Sequence, residues 1–464
     1  MASIKSARTL EDTSETAPAE PKVPRRDFEE QKSDADTRTV SAEQDSFPEP
    51  PTPSPPGWDG VDGGPLGWVQ VVGSFFLFFS SWGIANTFGV YQTFYEEDML
   101  RTTSPSTIAW VGSLQGFLMM VIGILTGPIF DMGYSRALVW VGTFMVVFGM
   151  MMTSIAKNYW QILLAQGVCV GLGAGCLFIP SVAIIATYFV KRRSFATGVA
   201  ASGSSIGEFL SFSGVIFPIV FHQLQPRIGF GWATRVIAFI SLGTLSISLA
   251  VSRQRTVSQS RRKLFDPTAF KDVPFILYTA AMFLAFMAMY TPFYYISAFA
   301  LGRTGADVTL QFYFLPIINA ASTFGRIFPN FLADFTGPLN MLIPCCFATG
   351  VLALSWISVH SVGGLATFAV LYGFFSGAFV SLPSPTLASL SPDLKKIGTR
   401  MGMMFGITAI GLLVGTPIAG TLIDLVTAQF VHAQIFCGVV LLSTVVLLVG
   451  TRIVSAGPKL WVKA

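Results

Sequence analysis

Beyond residue 62 charged side chains nearly disappear, and the chain becomes a succession of apolar stretches. Each is about 20 residues long, enough for a helix to cross a ~30 Å hydrocarbon core, and about twelve of them lie between Trp68 and Arg452. Backbone polar groups have no water to bind in that core, so only helices or closed barrels can span it. Continuous apolarity, rather than alternation, selects helices. The expected fold is an all-α membrane protein with twelve transmembrane helices in two six-helix halves.

The remaining composition narrows the function classes. Of 464 residues only 12% are charged, against about 25% in soluble domains. The five cysteines (Cys169, Cys176, Cys345, Cys346 and Cys437) all sit inside apolar stretches, so no disulfide framework is expected. Cys345 and Cys346 are adjacent, and the three histidines are scattered, which argues against a metal site. No Walker sequence offers ATP drive. Catalysis, a cofactor and a nucleic-acid partner are not expected. The partners are a small-molecule solute, the lipid bilayer and, as a coupling ion, the proton, with the chain acting as a monomer.

Residues 1–62 are polar and Pro-rich, with PEPPTPSPP around Pro51, and carry both charge signs. Such a segment cannot bury enough apolar surface to fold and is expected to be a disordered cytosolic tail. Residues 63–252 then form one half, 253–272 a cytosolic loop, 273–453 the second half and 454–464 a cytosolic tail. Lys and Arg support that orientation. With the amino terminus inside, about 16 fall in inner segments and about five in outer loops. The plasma membrane is the expected location.

Internal repetition fits two similar halves. GPIFDMGYSR (Gly127 to Arg136) follows the second span, and GRIFPNFLADFTG (Gly325 to Gly337) follows the eighth. Both place an acid (Asp131, Asp334) and then a glycine (Gly133, Gly337) at the inner membrane edge. A helix start carries roughly +0.5 charge. Asp131 is therefore expected against the start of the eleventh span near Gly402, and Asp334 against the fifth near Ala196. A solvated loop acid is the alternative. Gly167, Gly171 and Gly175, with Gly402/Gly406 and Gly411/Gly415, form faces of small residues that allow close helix approach.

Charge inside apolar stretches is a functional signal by default. Glu208, expected near mid-bilayer, is a candidate proton site, with a neutral structural acid as the alternative. Arg326 is a candidate fork for a carboxylate or enolate. Snorkelling or a pair with Asp334 is the alternative. Asp424 is read as an interface acid.

The stretch Gly127 to Arg136 resembles the signature of the major facilitator superfamily. YFVKRRSFATGVAASG, Tyr188 to Gly203, resembles that of the monocarboxylate porters, as does DGG at Asp62 followed by Gly67 and Trp68. GFFSGAFVSLPSP from Gly373 and IGTRMGM from Ile397 resemble the fungal branch. The resemblance implies alternating access and a substrate-binding role for Arg326. Animal porters carry an acid one turn before that arginine, where this chain has Ser322, and a first-span lysine missing from Asn86 to Tyr91. The pocket is therefore expected to be polar and otherwise neutral, lined by Asn86, Gln115, Tyr290, Tyr294, Asn319 and Ser322 with aromatic walls. That suits a larger amphipathic solute. The expected function is proton-linked efflux of an anionic or amphipathic secondary metabolite. The alternatives are uptake of a monocarboxylate or a vitamin such as riboflavin, and a non-transporting nutrient sensor.

Overall fold

In hydrocarbon the chain must satisfy its backbone within each segment, and the structure, a computed structural model, is helical throughout. It describes residues 62–206, 216–254, 266–391, 396–424 and 427–457. The only strand-like feature among these is a single bridge between Asp424 and Gln429.

The amino-terminal group begins with α1 (Gly64–Asn86) and α2 (Phe88–Phe94), then α3 (Pro105–Val121) and α4 (Gly123–Asp131). It continues through α5 (Ser135–Thr153), the single turn α6 (Tyr159–Ile162) and α7 (Gly171–Tyr188). Next come α8 (Arg193–Ala201), the turn α9 (Gly203–Ile206) and α10 (Ile216–Val251). The carboxyl-terminal group holds α11 (Val273–Met289), α12 (Thr291–Arg303), α13 (Val308–Thr336) and α14 (Pro338–Ser355). It ends with α15 (Val362–Ser381), α16 (Pro383–Leu390), α17 (Ile397–Thr421) and α18 (Val431–Ala456).

Among the described residues ten helical stretches are long and apolar enough to cross a membrane. The 29-residue α13 is not among the ten; it carries Arg326, Asn330 and Asp334. Within Ile216–Val251 the backbone leaves the helical region at Gly229, at φ 79° and ψ 164°, so α10 is two helices meeting at a kink. Without a Cβ, glycine adopts this positive φ readily.

One apolar core spans residues of both groups. Phe178 meets Phe405 edge-on at 4.9 Å between ring centroids, and Trp82 stacks nearly parallel to Tyr290 at 6.2 Å. The large exposed side chains, among them Trp140, Phe144 and Val446, are those of a surface that faces lipid rather than water.

Candidate transport site and the two helix seams

Two seams join the amino- and carboxyl-terminal groups, and each is closed by a carboxylate at a helix start. The first N–H groups of a helix lack intrahelical partners and carry the positive end of its dipole. Asp131, at the end of α4, accepts from the Gly398 and Thr399 amides at 3.2 and 2.9 Å and from the Thr399 hydroxyl at 2.9 Å. These residues open α17, one turn before the expected Gly402. Backbones touch along this seam. A Cβ on Gly127 would collide with the Gly398 carbonyl, and one on Gly402 with the Gly123 carbonyl.

The second seam repeats the device. Asp334 accepts from the Ser194 and Phe195 amides, at 2.8 and 3.0 Å, in the first turn of α8. Gly133 and Gly337 both take positive φ, 94° and 98°, and turn the chain just after each acid. Arg136 donates from Nε to the Ser252 carbonyl at 3.3 Å, beyond the end of α10.

One and two turns back from Asp334 lie Asn330 and Arg326, on the same face of α13. Asn330 donates to the Arg326 carbonyl and to the Ser381 hydroxyl of α15, both at 2.6 Å. Arg326 is only 3% exposed. Its Nη1 donates to the Ala201 carbonyl at 2.9 Å and to the Ser204 hydroxyl. Ala201 ends α8 and Ser204 lies in α9, so the guanidinium sits at an interrupted helix.

Around it the predicted pocket residues are dispersed. Arg326 lies within electrostatic range of the Tyr290 hydroxyl, and Tyr290 within range of Tyr294. Tyr294 itself is 40% exposed. Asn319 and Ser322 are buried on α13, and the Asn319 Oδ1 and Ser322 Oγ lack a protein partner. In the amino-terminal group Gln115 is buried with neither amide atom partnered, and the Trp82 Nε1 is also unpartnered. Asn86 is half-buried one turn beyond Trp82. A buried polar group left unpaired costs about 1–3 kcal/mol. Such groups weaken a core and are useful where a polar solute or water visits. Glu208 lies outside the described residues. Asp424, at the far end, bonds locally to Thr427 and Gln429.

Two further anchors escape the sequence reading. Asp62 accepts from three successive amides, Val190, Lys191 and Arg192, at 2.7 to 3.1 Å, so the start of α1 is tied to the loop that Asp334 caps. The DGG signature marked this acid without indicating its partner. Arg400, one residue past Thr399, lies between Asp272 at 2.8 Å and Asp266 at 3.6 Å. Burial opposes ionisation of Asp266, but the Thr268 hydroxyl, Lys396 and Arg400 together hold its carboxyl below the usual carboxylate range. A depressed folded value means this stabilisation is complete above the ordinary carboxylate pKa of about 3.9 and fades as pH falls below it. Arg400→Gln is expected to lower thermal stability by roughly 1–3 kcal/mol at pH 7. The deficit should shrink when melting is measured near pH 3; an equal deficit there would rule out the ion pairs as its source.

Paired helix-start seams and a buried arginine thus lie within a bundle of helices long and apolar enough to cross a membrane. The sequence matches the family model of the Major Facilitator Superfamily over residues 70–364, and the chain belongs to that superfamily. It is 47% identical to the MFS-type transporter dbaD of Emericella nidulans, over 82% of this chain and 84% of that one. It is 34% identical to the aspyridones efflux protein apdF of Emericella nidulans, over 89% of this chain and 83% of that one. The fold matches a crystal structure of the MFS transporter FucP in the outward conformation, with a TM-score of 0.64 at 15% identity. That match covers 82% of this chain and 98% of FucP.

Proposed function

We propose that this protein exports an anionic or amphipathic secondary metabolite by alternating access. The observation that carries the reading is Arg326, a cation buried at the contact between the two groups of helices, in a chain whose relatives include a named metabolite efflux protein. Residues 63–252 and 273–453 act as the two moving halves, and the seams capped by Asp131 and Asp334 alternately close and part. The monocarboxylate-porter-like signatures around Tyr188 and Asp62 support an anionic solute. The plasma membrane, with both chain ends cytosolic and one chain sufficing, is the arrangement that fits export.

Deleting the gene in its native organism should deplete one acidic metabolite from the medium at least tenfold and retain it in the cells. An unchanged distribution would turn the reading towards uptake or sensing. Glu208 is the proposed proton site, because an acid in a membrane span is expensive unless used. Glu208→Gln should flatten the pH dependence of export measured in everted vesicles; a profile like the wild type's would remove it from that role.

A further inference from the structure

Far from both seams, α5 packs against the helical stretch Tyr159–Tyr188. The two touch at Gly149, where a Cβ would lie 2.9 Å from the Ala165 carbonyl. Between that contact and the loop at Lys157 lies a groove of about 360 Å³. Small-molecule sites run from roughly 300 to 1,000 Å³. One side of the groove is the end of α5. The other is α6 and the π-helical segment Leu163–Val170 that follows it. Such π turns occur often at functional sites. The groove lies at the membrane edge opposite Asp131, because α5 starts four residues after that acid and its 19 residues span roughly 28 Å.

Its walls are apolar. Phe148, Met152, Ile155, Trp160 and Leu164 line it, and each is between 39% and 58% exposed. In a chain that spans a membrane, such a surface meets hydrocarbon rather than water. Gln161 is the one amide side chain in the lining. Its Oε1 accepts from the Lys157 and Asn158 amides at 2.9 and 3.3 Å, one half of the capping box that starts α6. That cap orients the side chain. It leaves the Nε2 as a donor with no protein acceptor among the described residues.

We propose that this groove binds a membrane sterol, with the sterol hydroxyl on the Gln161 amide and the fused rings against Trp160, Leu164 and Met152. The groove asks for a long apolar body with one small polar end, and a hydroxyl oxygen can accept from Nε2 while Gln161 keeps its cap. From Gln161 to Cys169 the lining runs roughly 10 Å along the helix, about the length of four fused rings. Tyr159 and Trp160 stand at the membrane edge, the depth at which amphipathic rings gather and sterol hydroxyls lie. Lys157, Tyr159 and Leu163 also follow the basic, aromatic, aliphatic order proposed for sterol contact. A rigid ring system gives up less freedom on binding than an acyl chain, which favours a sterol over a phospholipid tail. The proposal is independent of the exporter reading, since the lining includes neither Arg326 nor a seam residue.

The test uses the full chain in phosphatidylcholine nanodiscs with a sterol that carries a diazirine, irradiated and then mapped by mass spectrometry. Labelling should concentrate in residues 148–169 and saturate. Unlabelled sterol should displace it, and an equal amount of phosphatidylethanolamine should not. Gln161→Glu keeps an acceptor for the two capping amides and removes the donor, so half-saturation should need about fivefold more sterol, the scale of one hydrogen bond. Leu164→Trp fills the groove from an exposed position and should abolish saturable labelling there. The two variants act on different walls, so a folding defect in one leaves the other decisive. Labelling spread evenly over the lipid-facing surface would overturn the sterol site. So would displacement by the phospholipid, which would make the occupant an ordinary boundary lipid, or wild-type half-saturation in either folded variant.

Discussion

Replacing Asp131 with alanine is expected to lower export at least tenfold, and more than replacing Asp334. Asp131 is 5% exposed and holds two amides and a hydroxyl at the start of α17. Asp334 is half-buried and holds two amides at the start of α8. Hydrogen bonds to a charged group contribute about 1.5–3 kcal/mol each. Those of one carboxylate are not independent, so a loss of roughly 3–5 kcal/mol for the closed seam is a reasonable scale. A shift of about 5.5 kcal/mol carries a two-state equilibrium from 1:99 to 99:1, so losing Asp131 should leave the seam mostly parted. Distances between labels across the α4–α17 seam and export in cells should change together. Wild-type export from Asp131→Ala would show that the glycine contacts suffice to close the seam.

Gly402→Ala is expected to be nearly as damaging, although it adds one methyl group. That methyl would meet the Gly123 carbonyl oxygen, a backbone atom that no rotamer change can move away. Helix association in lipid rests on such close approach, because hydrocarbon gives apolar surfaces no reason to leave it. With the Cβ placed 2.1 Å from that oxygen, the helices must separate by about an ångström to accommodate it, and the Asp131 bonds one turn away would lengthen with them. Gly363→Ala is the control, since a Cβ there has nothing within 4 Å. Equal export from the two variants would disprove the close-contact account.

The seams bear on what is legible in a sequence. The repeated acid-then-glycine pattern places Asp131 and Asp334 at membrane edges and directs them to helix starts, because a carboxylate and a positive dipole end attract wherever they can meet. The structure puts both at such starts, Asp131 a turn from the expected position. The pocket was less accessible. Asn86, Gln115, Tyr290, Tyr294, Asn319 and Ser322 are chosen for being polar or aromatic inside apolar stretches. That property says a residue avoids lipid without saying which neighbour it meets. Tyr294 turns out 40% exposed, while Trp82, unremarked in the sequence, stacks on Tyr290 across the two groups.

Apolar run length, charge placement and repetition by themselves determine that this chain is a bundle of membrane helices of the facilitator type, since the bilayer fixes how long and how apolar a span must be. Periodicity and composition act within one segment. They cannot say that Arg326 answers Ala201 and Ser204, that Asp62 binds the loop beside Asp334, or that Arg400 lies between two acids of the segment before α11. Those pairings join residues more than a hundred positions apart. They depend on which helix faces lie opposite one another, and only packing in three dimensions decides that.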